Sequence, residues 1–177
     1  TVPSLNNGGT ATVVTFTARS TTTLRFTVTS VSAATGNVGL AELEAYNGDP
    51  TPTTTPTPTP TATATPVAGP APYSGPNVAR NASVLASSQV TNQEATKAID
   101  SVVGGYPANA TAEWSTDAQR SGAWIQLYWS TAQTIDRVYL YDRPNGSDQI
   151  TGGTLTFSDG TTVTVPSLNN DGTATVI

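Results

Sequence analysis

The chain contains no cysteine, no methionine and no histidine in 177 residues. Without cysteine there is no disulfide framework, no thiolate metal site and no thiol nucleophile. Without histidine the commonest general base and the commonest transition-metal ligand are missing. A serine nucleophile would have no imidazole to take its proton. The absence of methionine at position 1 is expected of numbering that begins after processing or at an arbitrary register. Charge is scarce too: 11% of residues are charged, with a net charge of −5. Lys97 is the only lysine and the arginines are scattered, so no basic patch exists and nucleic acid is not an expected partner. No apolar run approaches the ~20 residues of a membrane helix, so no membrane partner is expected either. An upstream signal peptide remains compatible with the sequence.

What is abundant is threonine, serine, asparagine, glycine and small apolar residues. Such an uncharged surface suits an extracellular or cell-surface β-protein better than a cytosolic one. The strongest single signal is a repeat. Thr1 to Val14 reads T-V-P-S-L-N-N-G-G-T-A-T-V-V, and Thr164 to Ile177 reads T-V-P-S-L-N-N-D-G-T-A-T-V-I. Twelve of the fourteen positions are identical, at a constant offset of 163. Gly8 stands against Asp171 in a turn and Val14 against Ile177 in a strand. The chain therefore reads as a window on a tandem array, cut out of phase with its domain.

Residues Thr51 to Pro66 read T-P-T-T-T-P-T-P-T-P-T-A-T-A-T-P. Proline fixes φ and has no backbone N–H to donate, so neither helix nor sheet interior is expected. The expectation is an extended polyproline-like spacer of about 3 Å per residue. Val67 to Pro76 continues it at lower threonine density. Dense Thr and Pro is also the composition of O-glycosylated stalks, which marks Thr53, Thr55, Thr57, Thr59 and Thr61 as candidate glycosylation sites. A bare spacer is the simpler alternative. Asn81-Ala-Ser83, Asn109-Ala-Thr111 and Asn145-Gly-Ser147 also match the N-glycosylation pattern, a short pattern that recurs by chance in such a composition.

On either side of this tract the pattern is β. Leu24, Phe26 and Val28 alternate with polar residues, the period of a half-buried strand. Leu155 and Phe157 alternate likewise, then Asp159-Gly160 and Val163 and Val165 complete a hairpin signal. Trp124 to Trp129 and Ile135 to Tyr141 are further strand candidates. A second turn is expected at Asn169 to Gly172, with a strand beginning at Thr173. Asn92 to Ile99 is the one helix-compatible stretch. Many short strands with Gly- and Asn-rich turns predict an all-β jelly-roll sandwich.

The predicted organisation is residues 1–48 as the C-terminal strands of one sandwich, 49–74 as linker, and 75–177 as the first three quarters of the next. Rejoined across the repeat, each period holds about 136 residues of bead and 27 of spacer. A bead of that size can bury a core. Residues 1–47 alone supply two or three strands and cannot. Three arrangements complete the bead: covalent neighbouring repeats, strand donation between separate subunits, and closure within the chain. The near-identical overlap favours the first, and an unpaired sheet edge makes the second the next choice.

The rejoined domain resembles the discoidin-like, coagulation-factor C-type β-sandwich family, in the bacterial form similar to family-32 carbohydrate-binding modules. The resemblance rests on Asn77-Val78-Ala79, Ala82-Ser83-Val84, Lys97-Ala98-Ile99-Asp100, Glu113-Trp114, Trp124-Ile125-Gln126-Leu127, Ile135-Asp136-Arg137-Val138, Thr154 to Gly160, and Gly39 to Tyr46, in that order around the repeat. It covers everything except the linker. The family's usual Asp-Gly is Asp100-Ser101 here.

The resemblance implies a structural calcium held by Asp100, Thr111 and Glu42 with backbone carbonyls, since Ca²⁺ takes about six to eight oxygen ligands. The plainer alternative is a turn-capping Asp100 and an exposed Glu42. A sugar site needs an aromatic platform ringed by polar groups, for which Tyr106, Tyr141, Asp142 and Arg143 are the candidates. Their alternative role is a structural loop with an exposed Asp–Arg pair of little energy. Trp114, Trp124 and Trp129 are expected in the core. No spacing singles out a pair of carboxylates, so the chain is not expected to be an enzyme.

The leading functional expectation is a repeat unit of an extracellular beads-on-a-string filament or surface protein, whose partners are neighbouring copies of itself. The alternative is a multivalent carbohydrate-binding adhesion module.

Overall fold

The computed structural model describes residues 16–46, 75–169 and the backbone of 175–176. The first copy of the duplicated segment, the Thr51–Pro66 tract and the five candidate glycosylation threonines lie outside the described residues.

The described chain is all-β, its strands paired antiparallel. In chain order they are β1 (Arg19–Val31), β2 (Gly39–Leu40), β3 (Glu42–Tyr46), β4 (Ser83–Ala86), β5 (Trp114–Ser115), β6 (Trp124–Ile135), β7 (Arg137–Tyr141), β8 (Ile150–Phe157), β9 (Thr162–Val165) and β10 (Thr175–Val176). A five-stranded sheet runs β4-β6-β1-β8-β9, a three-stranded sheet runs β10-β7-β3, and β2 pairs with β5.

The alternation of apolar residues explains the two layers. Leu24, Phe26 and Val28 of β1 face inward with Ile125 and Leu127 of β6 and Leu155 and Phe157 of β8. Leu43 and Ala45 of β3 and Val138 and Leu140 of β7 meet them from the other sheet, in one continuous core. The opposite face of the five-stranded sheet keeps the intervening Thr23, Arg25 and Thr27. Gly153 sits where any side chain would run into the Phe26 ring, so β8 passes β1 at a glycine.

β1 is the middle strand of its sheet, yet its partners are remote in sequence. Phe26 lies opposite Ile125 on one side and Leu155 on the other. β3 pairs with β7 over its full length, Glu42 opposite Tyr141 and Tyr46 opposite Arg137. Residues 16–46 thus pair with residues 77–169 within the chain. Of the three arrangements open on sequence, this is the one ranked last. Its physical basis is that β1 and β3 carry apolar rows that match those of β6, β8 and β7. The two ends of residues 47–76 meet: Tyr46 and Asn77 form an antiparallel bridge, and the Asn77 Oδ1 accepts from the Ala45 N–H at 3.1 Å.

Local readings are refined in three places. Asp136 separates β6 from β7, so Ile135–Tyr141 is a strand end followed by a new strand. Asn92–Ile99 is helical only as a 3-10 turn over Ala95–Ile99; Glu94 precedes it without a side-chain cap, and Asn92 has φ +67°. Trp114 and Trp129 are core residues, but Trp124 lies on the outer face of the sheet beneath the Arg25 guanidinium, 4.1 Å from the ring centroid. The hairpin at Asp159-Gly160 has Gly160 at φ +80°, where a glycine is favoured. Among the described residues no helix is long and apolar enough to cross a membrane.

Candidate functional site

Past the end of β7 the chain turns inward, and Arg143 enters the protein rather than standing on a loop surface. It is 3% exposed. Its Nη1 donates to Ser115 Oγ at 3.0 Å and Glu113 Oε1 at 3.3 Å. Its Nη2 donates to the Asn37 carbonyl at 3.0 Å, Asn37 Oδ1 at 2.7 Å and Asp148 Oδ2 at 2.9 Å. One guanidinium therefore ties the loop after β1, the strand β5 and the β7–β8 loop together, which its planar fork allows and an ammonium would not. Its Nε is buried without a hydrogen-bond partner.

Glu113 faces this arginine from the residue before β5. Its second oxygen accepts from the Tyr106 N–H at 2.9 Å. Gly105 permits that approach, because a side chain there would collide with the Glu113 carboxylate. Burial pushes the Glu113 carboxyl above its ordinary range, opposed by the Tyr106 N–H and the Arg143 charge.

These residues line an open cavity of about 220 Å³, whose wall includes Asn37, Tyr106, Glu113, Arg143, Asn145 and Asp148. Each of these wall residues carries a polar group on its side chain, and Tyr106 is 53% exposed. Such a wall offers hydrogen-bond donors and acceptors to a polar ligand.

The four candidate ligand residues therefore separate. Tyr106 and Arg143 line the same cavity. Tyr141 points to the outer face of the β3–β7 sheet, where its hydroxyl and that of Tyr46 donate to Glu44 Oε2 at 3.3 and 3.1 Å. Asp142 is buried, its two oxygens accepting from the Arg143 and Ile150 N–H groups, both at 2.9 Å. Burial pushes its carboxyl up to about 7 against those two donors. Asp142 thus fixes the start of β8, and the expected local Asp–Arg side-chain pair is replaced by the buried ion pairs of Arg143 with Glu113 and Asp148. Asn37, Glu113 and Asp148 carry the site without having been singled out by the sequence as binding residues.

The calcium candidates separate as well. Glu42 is buried at the start of β3, and its Oε1 accepts from the Ser101 N–H at 3.1 Å. Its Oε2 is buried without a partner. Burial, followed by the nearby Asp100 charge, pushes the carboxyl up to about 8. Asp100 is exposed, with Oδ1 accepting from Val102 N–H at 2.9 Å, and Ser101 holds the left-handed turn at φ +68°. Thr111 is exposed and donates to Asn109 Oδ1 at 2.9 Å. The structure brings Glu42 and Asp100 together and engages Thr111 elsewhere. Among the described residues no group of three or more acidic side chains could hold a metal ion. A hard cation would be one partner for the orphaned Glu42 oxygen.

No curated protein and no solved structure matches the chain. The family described as Domain of unknown function (DUF7402) has a model that matches residues 1–46 and 77–177, leaving out the Thr/Pro tract, and the chain belongs to that family.

Proposed function

We propose that the chain is a repeat unit of an extracellular filament or surface protein. Each bead is a discoidin-like jelly-roll sandwich, the Thr/Pro tract is the string, and neighbouring copies complete one another. The observation that carries this reading is the duplicated segment. Its second copy supplies β10, with Thr175 opposite Leu140 and Val176 opposite Tyr139 of β7. The first copy places the same Thr-Val pair at Thr12-Val13, just ahead of β1. Every bead therefore has two candidate strands for one place on β7, and the first copy of one chain matches the place that β10 takes on the β7 of a neighbour. Such a contact is heterologous and propagates instead of closing.

Electron microscopy of the purified chain tests the proposal. Beaded filaments support it, and isolated compact particles at every concentration overturn it.

A second reading, a multivalent carbohydrate-binding module, is favoured by one observation: the polar cavity beside the exposed Tyr106 ring. Sugar recognition uses this combination of an aromatic surface and hydrogen-bonding groups. Tyr106→Ala is the discriminating variant, because Tyr106 is exposed whereas Arg143 is part of the interior. Saturable binding on a glycan array, lost in Tyr106→Ala, supports the module; no binding to any glycan removes it.

A further inference from the structure

We infer that the cavity beside Tyr106 takes a protonated amino sugar, its ammonium group against Asp148 and its ring against Tyr106. This rests on the carbohydrate-binding reading of that cavity and names the class of sugar.

The N–H groups on the cavity wall are nearly all used inside the protein. Arg143 Nη1 and Nη2 are engaged by Glu113, Ser115, Asn37 and Asp148. Asn37 Nδ2 donates to Ser115 Oγ at 2.9 Å and to the Thr116 carbonyl at 3.1 Å. Gln93 Nε2 donates to the Ala110 carbonyl at 2.6 Å and to Glu113 Oε1 at 3.5 Å. Of these side-chain amides only Asn145 keeps an N–H to spare, its Nδ2 making one bond, to Asp148 Oδ2 at 2.8 Å. An anionic ligand, which can only accept, finds the guanidinium already occupied.

Acceptors are left over. Gln93 Oε1 and the Tyr106 hydroxyl make no hydrogen bond among the described residues. Asp148 accepts from the Gly36 N–H at 2.6 Å on Oδ1, and from Arg143 and Asn145 on Oδ2. A carboxylate has about four lone-pair positions, so one stays open on Oδ1. Glu113 Oε2 accepts only from the Tyr106 N–H. Charge points the same way, because two carboxylates share one guanidinium. The Asp148 side chain is 13% exposed and that of Glu113 is 1% exposed, so Asp148 meets the ligand and Glu113 lies behind it. A primary ammonium brings three donors and the missing positive charge. The exposed Tyr106 ring suits the C–H face of a pyranose and attracts a cation. An amino sugar carries both features on one ring.

Isothermal titration of the full chain tests this with two hexasaccharides alike in ring and linkage, one of glucosamine and one of N-acetylglucosamine. The titrations are run with EDTA present and at a pH where the amine is charged. The glucosamine hexamer is expected to bind about tenfold more tightly or better, with an advantage that shrinks as salt is added. Equal affinities, or tighter binding of the acetylated hexamer, overturn the inference and leave the carbohydrate-binding reading standing. No binding of either hexamer, with another glycan bound on an array, has the same result. No binding to any glycan overturns both. A linear polyamine that binds as tightly as the glucosamine hexamer overturns the assignment to a sugar. Asp148→Asn keeps the shape of the side chain and removes its charge. It is expected to weaken the glucosamine hexamer about tenfold more than the acetylated one, and equal losses overturn the role of Asp148. Tyr106→Ala, at an exposed position, locates the ligand independently of any effect of Asp148→Asn on folding. Unchanged affinity for the glucosamine hexamer in Tyr106→Ala overturns this cavity as its site.

Discussion

Tyr46 and Asn77 form an antiparallel bridge across the two ends of residues 47–76. The Asn77 side chain does the local work. Its Oδ1 accepts from the Ala45 N–H and the Ala79 N–H, both at 3.1 Å, so one amide links the end of β3 to the first 3-10 turn after the tract. Asn77→Ala leaves two backbone donors without their acceptor. The expected cost is about 1–3 kcal/mol, read as a lower denaturation midpoint at unchanged slope. Asn77→Asp keeps the acceptor and is expected to cost less.

Glu42 predicts the sign of the pH dependence. Its ordinary value is 4.5, and in the folded protein burial raises it to about 8. Between those values the folded state holds a proton that the unfolded state has released. Stability from this group is therefore full below about pH 4.5 and is lost as pH rises through 8. Glu44, Glu113 and Asp142 shift in the same direction, so the whole chain is expected to melt lower at pH 8.5 than at pH 5. Glu42→Gln removes this group's share, and the difference between the two melting curves isolates it. Calcium added at pH 8.5 should raise the wild-type melting temperature and leave Glu42→Gln unmoved. Equal responses from the two proteins would remove Glu42 as a cation ligand.

The Arg143 cluster predicts a large and asymmetric stability effect. Removing the guanidinium leaves Glu113 and Asp148 facing each other without a counter-charge. Arg143→Ala is expected to cost about 3–5 kcal/mol, the range for breaking a buried pair on one side. Arg143→Lys keeps the charge but not the five-bond fork, and should recover only part of the loss. Tyr106→Ala, on the open side of the same cavity, is expected within about 0.5 kcal/mol of wild type. Chemical denaturation of the three variants checks the order.

Phe26 is the test of β1 as the central strand. It is fully buried between Ile125 and Leu155. Phe26→Ala is expected to cost about 3–5 kcal/mol. A change below about 1 kcal/mol, the scale of an exposed position, would contradict its place in the core.

The inward faces of β1, β8 and β9 were legible because alternation reports a buried face directly. Their neighbours were not. Leu24, Phe26 and Val28 say that one face is buried but not that β6 and β8 flank it, since pairing between strands so remote in sequence leaves no local trace. Tyr141 and Arg143 were grouped because they are close in sequence. They separate because Tyr141 still obeys the strand's two-residue period, facing out with Tyr139, whereas Arg143 lies past the strand end and turns in. Glu113 was visible only as the neighbour of a buried tryptophan; its partner Arg143 arrives from the β7–β8 loop, which no spacing announces. Trp124 looked like core by residue type, and the stacked Arg25 that lets it face outward comes from another strand.

The most direct measurement is the mass of the purified chain in solution by light scattering, with electron micrographs of the same sample. The account predicts species at multiples of 18.1 kDa that grow with concentration and appear as beaded filaments. A single 18.1 kDa species at every concentration, seen as isolated compact particles, would contradict it.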